Sequence, residues 1–229
     1  MTIIQQNQSH SDFRDSLRGQ SVVLPNLYSL FPEWKPRLHP EYARARDESL
    51  NPWIERWVPD PVTSRKFQAA EFGVFAAIMC ADASYEKLCT MSKSFAWYRE
   101  KSLQYFRHVL CGEGEFPDLS GFSLELQYAL LCWDEVAAHI REVCSKETCE
   151  VLLEKKLYYV SSVDTVDTIC EGDQIPSLVE YWDRRERTAG VYPVIATIPF
   201  IYGQDVSHAE LATENMRLLW RHTSYLVHM

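Results

Sequence analysis

The chain has 229 residues, of which 46% are hydrophobic and 13% aromatic. This is enough apolar surface to build a sizeable core in one large domain or two small ones. The formal net charge of −9 at pH 7 argues against nucleic-acid binding through a basic face. It does not exclude an anionic ligand, because a local arginine cluster assisted by metal ions can overcome the overall charge.

No targeting or membrane signal is visible. The N-terminus lacks a basic segment followed by an apolar one, so no secretory signal is expected. No stretch approaches the roughly 18 apolar residues of a membrane span. The seven cysteines include no CxxC pair and are odd in number. They indicate buried thiols in a reducing, cytoplasmic environment, with neither a disulfide framework nor a zinc site.

The first part of the chain is predicted to be non-helical. Residues 1–20 are polar and are interpreted as a tail. Residues 21–61 hold seven of the eleven prolines, which predicts an extended strap pinned to a core by its aromatic side chains. Helical periodicity begins after Pro61.

Apolar spacing of three and four residues predicts the helices that follow. A helix through Phe67, Val74 and Ala81 is apolar on all sides and is expected to be buried all round. Asp82 is predicted to cap the next helix, which runs towards Tyr98.

Further helices are predicted over residues 123–144, from residue 145 towards 170, and from residue 207 onwards. In the second of these, Leu152, Tyr159, Val163 and Val166 form the apolar side. Ser177 and Glu180 form a capping box before another helix. No strand alternation, repeat or glycine-rich phosphate loop is present, so the fold class is predicted to be all-α.

The run from Arg185 to Pro193 is the most informative stretch. An arginine cluster, RER, opens into a small-residue turn and then a proline. Arginine binds phosphate oxygens bidentately, and a glycine followed by a proline interrupts a helix and frees backbone carbonyls. The pattern therefore indicates a diphosphate-reading cation beside a polar break in an apolar helical wall.

Three segments together resemble class I terpene synthases of the fungal sesquiterpene type. They are NPWIE at residues 51–55, the run 67–98, and YWDRRERTAGVYP at residues 181–193. The resemblance implies an α-helical barrel that holds a prenyl diphosphate, usually farnesyl diphosphate. Mg²⁺ then draws off the diphosphate, and the carbocation cyclises against aromatic walls. Residues 62–229 would form this domain.

The resemblance assigns roles to particular residues. Arg185 would sense the diphosphate and Thr188 would be a linker position. The carbonyl of Ala189 would face the substrate, freed by the loosening of the helix at Gly190. The resemblance also implies that aromatic residues line the cavity, and the candidates are Phe72, Phe75, Phe95, Trp97 and Tyr98. An aromatic stripe on a helix is, however, more often plain core.

The metal motifs depart from the family pattern. After Tyr98, where the family has an aspartate-rich motif, this chain continues with REKS at residues 99–102. The second motif, an Asn/Ser/Glu triad, is expected just past Met229. The domain is therefore predicted to be incomplete, with no metal ligands assigned and Mg²⁺ bound poorly.

Other carboxylates are interpreted as solvated charges. Glu100 is followed by a lysine, which makes a poor Mg²⁺ site. Asp164 and Asp167 lie three residues apart on one helix face, but that helix holds no metal in the family. Asp134 and Glu135 lack a third carboxylate.

Three functional hypotheses follow. The first is a terpene synthase family protein whose ancestral activity is Mg²⁺-dependent cyclisation of farnesyl diphosphate, impaired in this chain. The second is a non-catalytic remnant or splice product that binds prenyl ligands or a partner, with self-association through an exposed apolar wall. The third, metal-free chemistry on a terpenoid, has no positive residue support in the sequence.

Overall fold

The structure is a computed structural model that describes residues 10–23, 26, 29, 32–33, 35–96, 103–170 and 177–228. These residues form helices and contain no strand, which confirms the predicted all-α class. Among them, no helix combines the length and the apolar character that a membrane crossing requires.

The first third of the chain is more helical than its prolines suggest. Its elements are α1 (His10–Ser16), α2 (Tyr42–Ala45), a π-helical turn (Arg46–Leu50), α3 (Asn51–Trp57), α4 (Pro61–Ala69), α5 (Phe72–Met79) and α6 (Tyr85–Ala96). The expected extended strap is therefore wrong for residues 42–57. Pro52 lies at the start of α3, directly after the π-helical turn, and follows residues that are already helical.

The remaining chain forms nine further elements within the described residues. They are α7 (Leu103–Cys111), α8 (Leu124–Leu131), α9 (Asp134–Val143), α10 (Lys146–Cys170), α11 (Leu178–Thr188), α12 (Val191–Ile195), α13 (Ile198–Tyr202), α14 (His208–Leu211) and α15 (Glu214–His228). The long helix α10 is the central element, since α7, α9, α11 and α12 all pack against it.

Several predicted helices are broken in the structure. The helix expected through residues 67–81 is divided at Glu71, which adopts a left-handed conformation with φ of 56°. It is also not buried all round, because Phe75 and Ile78 are exposed. The helix expected over residues 123–144 divides at Trp133, and the last one divides between α14 and α15.

One of the predicted helix caps is present in the structure and the other is not. The capping box of Ser177 and Glu180 is confirmed at the start of α11. Asp82 does not cap α6; its carboxylate pairs with Arg37, and the hydroxyl of Ser84 accepts the N–H of Lys87 instead. A carboxylate that forms a bidentate pair with an arginine is no longer available as a cap.

The core lies where α7, α9 and α10 meet. Trp133 and Phe106 are fully buried there, with ring centroids 5.5 Å apart in an edge-to-face arrangement. Tyr105 is also buried, and its hydroxyl donates a hydrogen bond to Asp134. The six cysteines whose side chains the structure describes are free thiols, three buried and three half-buried.

Candidate functional site

A cavity of about 550 Å³ opens between α4–α6 on one side and α10 and α12 on the other. Its wall is mostly apolar. The lining residues contributed by the two sides are Lys66, Phe67, Ala70, Phe72, Phe75, Ser94, Phe95, Ala96, Lys156, Tyr159, Val160, Gly190, Pro193, Val194 and Thr197. The volume lies within the range of ligand sites, which is roughly 300–1,000 Å³.

Three of the five aromatic residues singled out in the sequence line this cavity: Phe72, Phe75 and Phe95. The rings of Phe75 and Phe95 are 5.0 Å apart between centroids, and Phe72 lies 6.3 Å from Phe67. Phe75 keeps 42% of its surface exposed, so it belongs to the open side of the cavity. The other two, Trp97 and Tyr98, lie outside the described residues.

The helix break at Gly190 forms part of the opposite wall. Helix α11 ends at Thr188, and Gly190 has a positive φ of 71° before α12 begins. The residue four positions after Ala189 is Pro193, which has no N–H to donate to the Ala189 carbonyl. Within the described part of the chain, no hydrogen bond reaches that carbonyl. It is therefore an available acceptor at the break.

Arg185 lies on α11, just over one turn before this break. Its backbone carbonyl accepts the N–H of Ala189, and its side chain is half-buried. Its guanidinium takes part in no hydrogen bond or ion pair with another described residue. Arg185 is not among the residues that line the cavity, so the structure does not place it in the wall.

Thr188 faces away from the cavity. Its hydroxyl donates to the carbonyl of Arg184. It lines a separate surface pocket with Arg184 and Arg187, between α10 and α11. The sequence-predicted residues 185, 188, 189 and 190 thus lie around the same helix end, and only Gly190 touches the cavity.

Lys156 is a cavity residue that the sequence analysis missed. It lies in the middle of α10, with 9% of its surface exposed. Its Nζ is 3.9 Å from the centroid of the Trp133 ring. Burial lowers the pKa of Lys156 to about 7, because removal from water disfavours the ammonium form. The ring face of Trp133 acts in the opposite direction by attracting the cation.

A polar cluster lies on the other side of α12, around Glu186. Its carboxylate accepts the hydroxyl of Tyr192 at 2.6 Å and that of Tyr225 at 3.3 Å, and it pairs with Arg221 at 3.3 Å. The carbonyl of Glu186 also accepts the hydroxyl of Ser224. These contacts join α11, α12 and α15, and we refer to them as the Glu186 cluster.

The described residues do not fit a divalent metal ion. They contain no group of three histidine, cysteine, aspartate or glutamate side chains placed to hold one. Asp134 and Glu135 are exposed on α9; Asp134 accepts the hydroxyl of Tyr105, and Glu135 pairs with Lys93 at 3.1 Å. Glu100 and the side chains of Asp164 and Asp167 lie outside what the structure describes.

Comparison with protein families gives a match over the second half of the chain. Residues 124–229 match the model described as terpene synthase family 2, C-terminal metal binding. No curated protein matches the chain by sequence.

Solved structures resemble most of the described fold. The SVS_A2 protein from ancestral sequence reconstruction superposes with a TM-score of 0.68 at 17% identity, covering 84% of this chain and 63% of its own. An α-eudesmol synthase superposes with a TM-score of 0.69 at 15% identity, covering 89% of this chain and 69% of its own. Linalool/nerolidol synthase from Streptomyces clavuligerus superposes with a TM-score of 0.66 at 14% identity, covering 83% of this chain and 67% of its own.

At these identities the likeness concerns the fold, and the chain spans 63% of the SVS_A2 protein. The helices, their packing around α10 and the family match point to the same architecture. The chain therefore has the class I terpenoid synthase helical fold in part, and residues 124–229 match the model of terpene synthase family 2.

Proposed function

We propose that this protein binds a prenyl diphosphate, with farnesyl diphosphate as the first candidate. The hydrocarbon would enter the cavity of about 550 Å³, and the diphosphate would lie towards Arg185. The observation that supports this most is the cavity itself, with its four phenylalanines from α4–α6 facing the helix break at Gly190.

The cavity suits an unsaturated hydrocarbon chain. Its wall is mostly apolar, so burial of the chain is favoured by the hydrophobic effect. Aromatic rings such as those of Phe75 and Phe95, 5.0 Å apart, present π-faces that also attract positive charge. A chain that carries or develops positive charge is therefore accommodated as well as a neutral one.

Arg185 would recognise the diphosphate. A guanidinium presents a planar set of donors that matches phosphate oxygens, and the described residues leave that of Arg185 without a competing carboxylate. The acceptor carbonyl of Ala189 lies one turn further along the same segment. Its oxygen would stabilise any positive charge on the bound chain, as the resemblance implies for this position.

Mg²⁺ is the metal that the resemblance implies, and it would neutralise the diphosphate as a leaving group. Because no carboxylate group of the described residues fits it, no step of the proposal passes through the metal. We therefore propose binding without ionisation for this polypeptide. The second candidate is the family's full reaction, cyclisation of farnesyl diphosphate with release of diphosphate, which the terpene synthase match favours.

Ligand binding tests the proposal directly. Titration with farnesyl diphosphate, farnesol and inorganic diphosphate, followed by calorimetry, separates the hydrocarbon contribution from the anionic one. We expect Arg185→Ala to weaken farnesyl diphosphate binding by about tenfold or more, because a charge-assisted hydrogen bond contributes about 1.5–3 kcal/mol. Farnesol binding should change little.

Arg187→Ala is the matched control, since Arg187 lies on the same helix, is exposed and donates to the carbonyl of Asp183. It should leave both affinities unchanged. Equal losses in the two variants would contradict the role of Arg185. Incubation with farnesyl diphosphate and Mg²⁺, with volatiles analysed by mass spectrometry, decides between the candidates. If the wild type forms a cyclised hydrocarbon well above the level of Arg185→Ala, the proposal of binding without ionisation is wrong and the cyclisation reaction takes its place.

A further inference from the structure

Lys156 is unusual for a lysine on an apolar wall. It lies at the centre of α10, at a spacing of four residues from Leu152 and three from Tyr159. Leu152 is fully buried and Tyr159 lines the cavity beside Lys156. The amine is therefore held in the apolar stripe of the helix and beside the cavity, where lysine is seldom found.

The surroundings of Lys156 favour an uncharged amine. At pH 7 about half of a lysine with a pKa near 7 is neutral. For a lysine at its ordinary value the fraction is roughly one in a few thousand. Among the described residues, the other titratable side chains of the cavity wall are Lys66 and Tyr159, and Lys66 is exposed. The wall thus offers two lysines of contrasting exposure.

A neutral amine beside an apolar cavity is suited to reaction with a carbonyl group. Desolvated lysines act as nucleophiles towards carbonyl substrates, because the free amine, and not the ammonium, attacks carbon. The cavity would hold the apolar chain of such a substrate and keep its carbonyl at the wall.

We propose that Lys156 forms an imine with apolar aldehydes bound in the cavity, isoprenoid aldehydes in particular. The amine nitrogen attacks the aldehyde carbon and a C–N bond forms. Proton transfers to the carbonyl oxygen release it as water, and a C=N bond remains. No oxidant or reductant is consumed. The inference depends on the cavity and is independent of diphosphate binding.

Reductive trapping tests this on the whole chain. The protein is incubated at pH 7.5 with citronellal, a branched aldehyde without a conjugated double bond, and sodium cyanoborohydride. The reductant adds hydride to the C=N bond and fixes the adduct, and peptide mapping by mass spectrometry locates it. We expect the yield at Lys156 to exceed that at Lys155 by about tenfold or more, because Lys156 lines the apolar cavity and burial lowers its pKa.

Lys155 is the matched control within the same molecule. It precedes Lys156 on α10, but its Nζ pairs with Glu154 at 2.6 Å. Lys156→Met should remove the adduct, and Lys155→Met should retain it. Because the site is read in the wild-type protein, the test does not depend on how well either variant folds.

Competition identifies the cavity as the place of reaction. Citronellol has the same chain and no carbonyl, so an excess should suppress labelling of Lys156 and leave surface lysines unaffected. An adduct spread evenly over surface lysines would overturn the proposal and leave Lys156 as a structural cation over Trp133. Labelling of Lys156 that citronellol does not suppress would overturn the role of the cavity.

Discussion

The two sides of α12 differ in the surroundings that they give to polar side chains. Towards α5 and α6, Gly190, Pro193 and Val194 face an apolar cavity whose most deeply buried ionisable residue is Lys156. Towards α15, Tyr192 faces Glu186, whose carboxylate accepts two tyrosine hydroxyls and pairs with an arginine. One side places Lys156 beside a void, and the other joins Glu186 to two tyrosine hydroxyls and an arginine.

The difference separates structural from chemical roles. In the Glu186 cluster, burial and the hydrogen bond to Glu186 raise the pKa of Tyr192, so its hydroxyl stays a donor. A matched network of this kind holds helices together. At the cavity, burial lowers the pKa of Lys156, because removal from water disfavours the ammonium form. Burial thus raises the pKa of the tyrosine on one side and lowers the pKa of the lysine on the other, and in both cases it favours the neutral form.

The largest expected effect is the loss of the core ring beneath Lys156. Trp133→Ala should lower the free energy of unfolding by about 3–5 kcal/mol, because it leaves a large cavity in a fully buried site. Urea unfolding followed by circular dichroism measures this. Trp182→Ala, which removes a half-buried ring on the side of the Glu186 cluster, should cost clearly less. Equal losses would show that the two sides are equally packed.

The next effect is a pH dependence that comes from Lys156. Its folded pKa, about 7, lies below the ordinary value, so the unfolded chain binds more protons between pH 7 and about 10. The destabilisation by Lys156 is therefore complete below pH 7 and is lost as the pH rises through that window. It amounts to something on the order of a few kcal/mol.

Lys156→Met removes the titrating group and keeps much of the side-chain volume. Its advantage in unfolding free energy over the wild type should be greatest at pH 7 and shrink towards pH 10. Lys155→Met is the control, and its difference from the wild type should stay constant over the same range. An advantage of Lys156→Met that does not vary with pH would refute the depressed pKa.

The smallest effect concerns the Glu186 cluster. Glu186→Ala should lower the free energy of unfolding by about 1–3 kcal/mol, since it leaves the hydroxyl of half-buried Tyr192 without its acceptor. Glu186→Gln should cost less, because an amide oxygen still accepts a hydrogen bond. Glu214→Ala breaks only an exposed pair with Arg217 and should change stability by a few tenths of a kcal/mol. A loss as small as this in Glu186→Ala would remove the contrast between the two sides.

The sequence contained a sign of Lys156 that periodicity alone could not interpret. Leu152, Tyr159 and Val163 were predicted to form one apolar side of α10, and Lys156 falls on that same side. A lysine in such a stripe can extend its stem to solvent or remain buried. Only the packing of α7 and α9 against α10 shows that it remains buried over Trp133.

Helix breaks were predicted where they have a local cause. The break at Gly190 follows from a glycine and a proline close together, and the capping box of Ser177 from two side chains three residues apart. The breaks at Glu71 and Trp133 have no comparable signal, since neither residue is a strong helix breaker. They are settled by how the neighbouring helices pack.

The sequence by itself determined the all-α class, the position of α10 and the capped start and glycine-marked end of α11. These depend on periodicity and on contacts within a few residues of the chain. The tertiary structure alone decided that Phe72 and Val194, more than a hundred residues apart, face the same cavity, and that Lys156 rather than Arg185 lines it. A cavity is the space left between packed helices, so its shape depends on long-range packing that no local pattern encodes.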